Sequence, residues 1–477
     1  MKKAVFFLWG VIGVLLAGTT FVEKYWGMAY VHEHVYGSWW FVALWGIAVG
    51  CSLAYAVRRR LYRNLPVFLL HMAFVVILAG ALLTFWTARR GTVHLRVEEP
   101  VCVFMAEGEG VSGLPFAVTL DTFFITYHAG TSLPADYTSV FTVCPAGEEC
   151  VGAKVAMNRI FSFRGYRFYQ TSYDSDGYGS VLTVNYDPWG IPFTYTGYFL
   201  LFLAMCWNLG VRNGYFRRAW RCFWGEGEEQ RGDGPFVRGR FAVWVERGFV
   251  FLLRASLGAL TFYIGWRVYA SGRLPVGNGY ETMLLLAWVI LAVAVVLAGR
   301  VRWFAPAGLL LAGLCLLSAA IAGMNTQVTP LVPVLASPLL SWHVSFIIMA
   351  YALLSLIFVN GVLALVFAGG NKTGRIGELL ALSRLFLVPA LFLLGMGIFI
   401  GAVWANVSWG RYWAWDAKEV WALITFLVYA FALHTGSCPM FRKPVFFHVY
   451  MVCAFFTVLM TYFGVNYFLG GLHSYAG

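Results

Sequence analysis

Two histidines lie at similar depths in apolar segments that are far apart in the chain. His71 follows Pro66, where one apolar segment begins, by five residues, and His434 lies near the end of another. Imidazole is the commonest protein metal ligand, and ionisable side chains inside membrane segments are rare and usually functional. A lone membrane histidine also often bridges two helices by hydrogen bonding. Helix contacts and a metal-binding pair both remain open, and the matched depth favours the pair.

A second pair of histidines brackets the last third of the chain. His343 opens an apolar segment after a loop that contains Pro330, Pro333 and Pro338, and His473 follows the last apolar segment. Taken singly, each is most simply an ordinary histidine at a membrane interface. Both are also candidate metal ligands, because the chain between them carries an unusual group of aromatic side chains.

That group occupies residues 404–421, which read WANVSWGRYWAWDAKEVW. Its candidate ligand-binding residues are Trp404, Trp409, Trp413, Trp415, Asp416 and Trp421. One or two tryptophans at a membrane interface are normal, but five in eighteen residues make a surface suited to a large planar ligand. Haem fits, because its ring needs aromatic walls and its iron takes axial imidazoles. Arg411 and Lys418 are either partners of the haem propionates or solvated interface charges.

The elements that position these residues are membrane helices. Of the 477 residues, 60% are hydrophobic and 12% are charged, against roughly 25% charged in ordinary globular proteins. This composition excludes a secreted, disordered or conventional nucleic-acid-binding protein. Since a spanning helix needs about 20 mostly apolar residues, we predict an all-α polytopic membrane protein with about eleven transmembrane helices. They lie near 4–22, 39–57, 66–86, 193–211, 248–269, 280–299, 303–323, 342–368, 384–404, 419–436 and 446–468.

The basic residues predict the orientation, because short cytoplasmic loops collect Lys and Arg. With a cytoplasmic N-terminus, one side holds Lys2, Lys3, Arg58, Arg59, Arg60, Arg63, the eight arginines from Arg212 to Arg247, Arg300, Arg302, Lys372, Arg375, Arg442 and Lys443. The tryptophan-rich segment and the C-terminus are then extracytoplasmic. The first apolar segment is too long for a signal peptide and lacks a clear cleavage site. Topology and contact with acidic membrane lipid account for most of these charges.

One insertion departs from the helical pattern, between about 87 and 192. Alternation of apolar and polar residues, as at Val93 and His94, predicts a small β-rich extracytoplasmic domain. Cys144 and Cys150 in this domain are candidates for a disulfide. The arginine-rich stretch 212–247 is predicted to be a cytoplasmic linker between two halves, 1–211 and 248–477.

Other residues carry weaker signals. The segment from Asn278 to Thr282 either belongs to the site or caps a helix, and Glu281 within it is costly to bury unpaired. His448 is interpreted as a helix contact. Surface positions are expected for His32, His34, His94 and His128. The chain has no C-x-x-C-H motif, nucleophile elbow, Walker loop, H-E-x-x-H or dinucleotide fingerprint, so those chemistries lack support.

The chain resembles the haem-handling superfamily named for its tryptophan-rich WWD motif. WGRYWAWDAKEVWALITFLVYAFALHT at 409–435, NGYET at 278–282 and GLHSYA at 471–476 resemble the CcsA half of System II cytochrome c synthases. GYRFYQTSYD at 165–174 and the span with His71 resemble the partner CcsB, also called ResB. The resemblance covers nearly the whole chain as a CcsBA-type fusion.

This resemblance implies a holocytochrome c synthase, or cytochrome c haem lyase, of the bacterial cytoplasmic membrane. Haem b would be ligated at positions matching His71 and His434, pass outward, and be held by His343 and His473 at the WWD surface. Its vinyl groups would then form thioethers with the C-x-x-C-H thiols of apocytochrome c. No residue of this chain is implied as a catalytic nucleophile, and a thiol-disulfide reductant protein is an expected further partner. Two alternatives stay open: a haem transporter or chaperone without lyase activity, and a membrane electron-transfer b-type cytochrome.

Overall fold

The computed structural model describes residues 2–108, 110–224, 240–301, 303–370 and 373–470. The first half of the chain forms five α-helices: α1 (Lys2–Val31), α2 (Trp39–Arg58), α3 (Leu65–Thr87), α4 (Gly190–Gly210) and α5 (Tyr215–Trp224). A short π-helix, His32–Tyr36, follows α1. The helices follow the long apolar runs, because in a membrane only a helix satisfies every backbone group within one segment.

The second half forms seven further helices among the described residues: α6 (Arg240–Ser271), α7 (Gly279–Ala298), α8 (Phe304–Ile321), α9 (Pro338–Gly369), α10 (Thr373–Trp409), α11 (Ala417–Phe431) and α12 (Pro444–Leu459). A π-helix, Met460–Leu469, continues α12. Proline in the first turn starts α3, α9 and α12, where its missing N–H costs no helical hydrogen bond.

Ten helical segments of the described chain are long and apolar enough to cross a membrane. Each of the eleven predicted spans coincides with a helix, but α11 is shorter than predicted, with 15 residues. At 1.5 Å per residue it measures about 22 Å, against a hydrocarbon thickness of about 30 Å. The difference arises because α11 ends at Phe431 and the chain then turns at His434.

The predicted linker 212–247 is partly helical, since α5 lies inside it and α6 begins at Arg240. Helix α5 is amphipathic: Ala219 and Phe223 are buried, whereas Arg217, Arg218 and Arg221 lie on its polar side. It packs on α10. Basic residues opposite an apolar face are typical of a helix that lies along a membrane surface.

The insertion between α3 and α4 forms the β-rich domain predicted from its alternating pattern. Its strands are β1 (Arg89–Arg96), β2 (Pro100–Ala106), β3 (Gly110–Tyr127), β4 (Pro134–Pro145), β5 (Val151–Ala156), β6 (Phe161–Phe163), β7 (Tyr166–Tyr173) and β8 (Gly179–Tyr186). They form one antiparallel sheet in the order β5-β4-β3-β2-β1-β8-β7-β6. We call residues 89–186 the β domain, the nearby end of the helix bundle the β-domain end, and the opposite end the far end.

The β domain has its own apolar core, built from one side of each strand. Val93 and Leu95 of β1 and Leu182 and Val184 of β8 are fully or almost fully buried, as expected for residues two apart on a strand. Cys144 and Cys150 form a disulfide across the β4–β5 connection. The domain is therefore a folded unit in its own right, and α3 and α4 connect it to the bundle.

The two halves of the chain pack together around α11. Ile12 and Leu16 of α1 join Val420 and Ile424 of α11 in one buried cluster. On the first-half side, Gly80 of α3 lies so close to α4 that a Cβ would meet a Thr194 backbone atom at 2.6 Å. Helix α11 thus lies between α1 and α12, with the tryptophan-rich segment leading into it.

Candidate functional site

His71 and His434 lie next to each other near the far end of the bundle. Their ring centres are 6.1 Å apart and the ring planes are nearly perpendicular, at 85°. A metal bound between two imidazole nitrogens at roughly 2 Å each would hold the ring centres about 6 Å apart. The structure therefore brings together two residues that the sequence places in opposite halves, at a spacing that suits two axial ligands.

Backbone carbonyls fix which nitrogen of each ring faces the other. Nδ1 of His71 lies 2.7 Å from the Val67 oxygen, and Nδ1 of His434 lies 3.1 Å from the Ala430 oxygen. A carbonyl can only accept, so Nδ1 carries the proton and donates in each bond. The lone pair is then on Nε2, and a ligating histidine usually donates its other ring N–H in this way.

A cavity of about 3000 Å³ extends from this histidine pair to the tryptophan-rich segment. Pockets for drug-sized ligands are roughly 300–1,000 Å³, so the space exceeds what one such ligand fills. Its walls come from both halves, with α1, α2 and α3 on one side and α10 and α11 on the other. From Trp421 to His434 the chain advances 13 residues, or about 20 Å at helical rise. The cavity therefore joins two sites on opposite sides of the bundle.

Aromatic rings form the β-domain end of this cavity. Trp415 stacks on Tyr36 with ring centres 4.8 Å apart and planes 11° apart, and Phe41 meets Trp415 edge-on at 5.2 Å. Trp413 lies perpendicular to Trp415 at 5.9 Å. Trp421 is held in α11 by a hydrogen bond from Nε1 to Thr20. Three of the five predicted tryptophans thus line one chamber.

The other two tryptophans lie on α10. Trp404 and Trp409 meet at 64° with ring centres 4.9 Å apart, and Trp404 is almost fully buried. His343 of α9 packs against the same helix, and its Nδ1 donates to the Gly397 carbonyl at 2.6 Å. Neither tryptophan, nor His343, is among the residues that line the large cavity. The segment from Trp409 to Trp415 therefore separates the cavity from His343.

The remaining predicted residues divide into one with a structural position and one outside the described residues. Asp416 is fully buried and caps α11, accepting from the Lys418 N–H at 2.9 Å. His473 lies in 471–477, outside the described residues, so its pairing with His343 stays a prediction.

Backbone conformation sets the shape of the loop between Trp409 and Asp416. Gly410 has φ +73° and Trp415 has φ +59°. A bulky residue in the left-handed region is an outlier that costs about 1–2 kcal/mol. Stacking on Tyr36 and the bond from the Ala414 N–H to Glu419 hold Trp415 there. Such strain clusters at functional segments.

The β domain and the adjoining helix end hold this loop in place. Arg90 and Asn185 both donate to the Gly410 carbonyl. Tyr412 donates to Thr84 at 2.8 Å, and Thr84 donates to Asp187 at 2.7 Å. Arg411 pairs with Glu107 of the β domain, and Ser408 donates to Asn158 at 2.6 Å. The first half therefore positions the tryptophan-rich loop of the second.

Sequence reasoning missed several of these residues. Tyr36, Phe41, Arg90 and Asn185 belong to no short motif, and nothing in their local sequence indicates the contact with the loop. His32, interpreted as a surface residue, is exposed but lines the cavity. His128 is half-buried and bonds to the Leu331 carbonyl at 3.2 Å. His94 and His34 are exposed as expected, and His94 pairs with Asp174.

The Asn278–Thr282 segment has a structural role. Asn278 caps α7 by accepting from the Glu281 N–H at 2.9 Å. Glu281 is buried and paired with Arg267 at 3.0 Å and Arg273 at 2.9 Å. Arg267 also donates to the Thr326 carbonyl at 2.8 Å. This network ties α6 and α7 to the loop that leads toward α9, and it does not line the cavity. His448 is buried where α12 meets Gly361 of α9, as a helix contact should be.

Two family models match this chain, one in each half. A model described as "ResB-like family" matches residues 54–190, and one described as "Cytochrome C assembly protein" matches residues 276–473. The first includes His71 and the β domain. The second includes the tryptophan-rich loop, His343 and His434.

Curated relatives match the second half. Protein NrfI of Wolinella succinogenes is 37% identical over 235 residues, which cover 48% of this chain and 26% of that protein. Cytochrome c biogenesis protein CcsA of Chlamydomonas reinhardtii is 36% identical over 220 residues, covering 43% and 62%. The protein of the same name in Synechocystis sp. is 30% identical over 315 residues, covering 49% and 92%. The chain thus spans about a quarter of the first relative and under two thirds of the second.

Proposed function

Because the chain belongs to the CcsA family of cytochrome c biogenesis proteins and carries a ResB-like half in front, as fused CcsBA-type System II synthases do, we propose that it exports haem and attaches it to apocytochrome c. The observation that carries this proposal is the cavity of about 3000 Å³ with a histidine pair at one end and a tryptophan-rich chamber at the other. Haem needs both apolar walls and axial imidazoles.

In this proposal the far end is cytoplasmic and the β-domain end extracytoplasmic, as the basic residues predict. Haem b is first held between His71 and His434, with Nε2 of each imidazole toward the iron. The ring then moves along the apolar wall toward Trp413 and Trp415. The membrane is the bacterial cytoplasmic membrane, so the acceptor is met outside.

At the β-domain end, His343 and His473 are the proposed axial ligands. His343 is supported by its Nδ1 bond to Gly397, which leaves the lone pair on Nε2. Since Trp409–Trp415 lies between His343 and the cavity, haem reaches His343 only after this segment moves. The left-handed residues Gly410 and Trp415 bound the segment on either side.

Attachment is an addition reaction. Each cysteine S–H of the acceptor C-x-x-C-H motif adds across one haem vinyl group, so that sulfur bonds to one vinyl carbon and hydrogen to the other. No atom is lost, and the addition consumes neither oxidant nor reductant. The thiols must be reduced beforehand, which is the step a thiol-disulfide reductant protein would supply. The contribution of this chain is to position haem and acceptor.

Co-expression with an apocytochrome c that carries C-x-x-C-H tests the proposal. We expect haem that stays on the acceptor after denaturing electrophoresis, and none on a matched acceptor whose two cysteines are serine. Haem-loaded protein without this product would instead favour a transporter or chaperone. Haem that a quinol reduces but that never leaves the protein would favour an electron-transfer cytochrome.

A further inference from the structure

Arg90 lies at the β-domain end of the cavity with part of its guanidinium unused. It is the second residue of β1, and Nη2 donates to the Gly410 carbonyl. Its Nε is buried and has no hydrogen-bond partner among the described residues. Arg90 also lines the cavity. A buried donor without a partner costs about 1–3 kcal/mol, so this atom fits a site that a ligand completes.

A second arginine reaches the same place from the other half of the chain. Arg411 of the tryptophan-rich loop lines the cavity beside Arg90 and is paired with the exposed carboxylate of Glu107. Burial, together with the neighbouring Arg411, lowers the pKa of the Arg90 guanidinium. Both effects disfavour a cation that has no anion beside it.

The carboxylates nearby do not neutralise Arg90. Asp187 accepts from the Thr84 hydroxyl at 2.7 Å and from the Gly190 N–H at 2.8 Å. Glu107 pairs with Arg411. Among the described residues Arg90 makes no ion pair. The mouth of the cavity is therefore a place where an added anion is favoured.

We propose that Arg90 and Arg411 bind the two propionate carboxylates of haem once haem has reached the β-domain end of the cavity. This inference rests on the proposed function and assigns residues to it. Arginine suits the task because its planar fork matches a carboxylate with two parallel hydrogen bonds. The stacked rings of Tyr36 and Trp415 line the same chamber and offer the porphyrin an aromatic face.

The distance along the bundle shows which haem position the arginines serve. Arg90 is 19 residues beyond His71, or about 28 Å at helical rise. A haem held by His71 and His434 therefore cannot reach Arg90. Lys418, the other cation near the loop, donates to Asn466 at 2.8 Å and does not line the cavity. The arginines thus define a second haem position with its carboxylates toward the β domain.

A purely structural role for Arg90 makes a different prediction. Arg90 and Asn185 share the Gly410 carbonyl, so removing either donor loosens the same loop. Only Arg90 carries a charge that distinguishes a carboxylate from its ester. Asn185→Ala is therefore the matched control for loss of the loop contact.

The experiment uses the full chain with His71→Ala and His434→Ala, so that binding reports the β-domain end. Purified protein is titrated with haem and with haem dimethyl ester, whose carboxylates are uncharged. We expect the parent to prefer haem by about tenfold or more, as a charge-assisted bond predicts. Arg90→Gln and Arg411→Gln should each remove most of this preference. Glu107→Gln, which frees Arg411, should increase it.

Asn185→Ala should weaken binding of both compounds to the same extent and leave the preference intact. An equal affinity of the parent for haem and its ester, or a preference that survives both arginine substitutions, would overturn the inference. A parent that binds neither compound, together with an unsubstituted chain that purifies without haem, would overturn the proposed function as well.

Discussion

Gly401 of α10 lies directly against the imidazole of His343 of α9. A Cβ at Gly401 would be 2.5 Å from Nδ1, the atom that donates to the Gly397 carbonyl one turn earlier. No side chain can occupy that position unless the ring moves. The orientation of His343 therefore depends on the absence of a side chain on the neighbouring helix.

Gly401→Ala should consequently reproduce much of the effect of His343→Ala. We expect covalent haem on the acceptor to fall at least tenfold, because the displaced ring loses its bond to Gly397. Gly377→Ala is the matched control, since it lies on the same helix with open space around it. Equal attachment in the two alanine variants would show that the ring position is unimportant.

The inner histidines give a second prediction. His71→Ala or His434→Ala should lower the haem that copurifies with the protein, because a single imidazole remains. Added imidazole should restore part of it by filling the vacated space. His34→Ala, at an exposed position, is the control. Unchanged absorption spectra in both inner variants would contradict ligation at this pair.

The loop conformation gives a third. Gly410→Ala combines a left-handed φ with a Cβ placed 2.8 Å from the Tyr169 ring. Gly177→Ala has a similar φ of +74° and nothing within 4 Å. Both should cost about 1–2 kcal/mol of backbone strain, but only the first should reduce haem attachment. Measuring thermal unfolding alongside attachment separates the two effects, and a parallel loss of attachment in both variants would argue against a specific role for the loop.

The buried ion pair gives a fourth. Glu281→Ala leaves Arg267 and Arg273 without their carboxylate, and breaking a buried pair costs about 3–5 kcal/mol. Glu148→Ala removes an exposed pair with Arg164, for which about 0–1 kcal/mol is expected. Thermal unfolding in detergent should rank the variants in this order. The reverse order would mean that the Glu281 network does not hold α6 and α7 together.

Much of the fold was predictable because membrane helices need long apolar runs and strands need alternation. Val93 and Leu182 are buried in strands as their pattern predicts. The length of α11 was not predictable, since apolar residues continue past Phe431 to Leu433 while the backbone turns there. Helix α5 was missed because ten residues are too few for a spanning segment and its arginines resemble a linker.

The site was predictable only where a residue type is rare. His71 and His434 stand out as ionisable residues in apolar surroundings, and five tryptophans in one loop are unusual. Tyr36, Arg90 and Asn185 are ordinary residues of a membrane protein, and only the packing of one half on the other gives them a place in the site. Assigning Asn278 and Glu281 to a helix cap and an ion pair likewise required the positions of α6 and α7.

Because the walls of the cavity come from both halves, neither half encloses a passage by itself. Production as one polypeptide fixes their stoichiometry at one to one and couples their insertion into the bilayer. A surplus of either half would leave an open, aromatic-lined seam facing lipid, which is the kind of orphan that cellular quality control removes. Joining the two genes therefore secures a sealed route for a toxic cargo at the moment of synthesis.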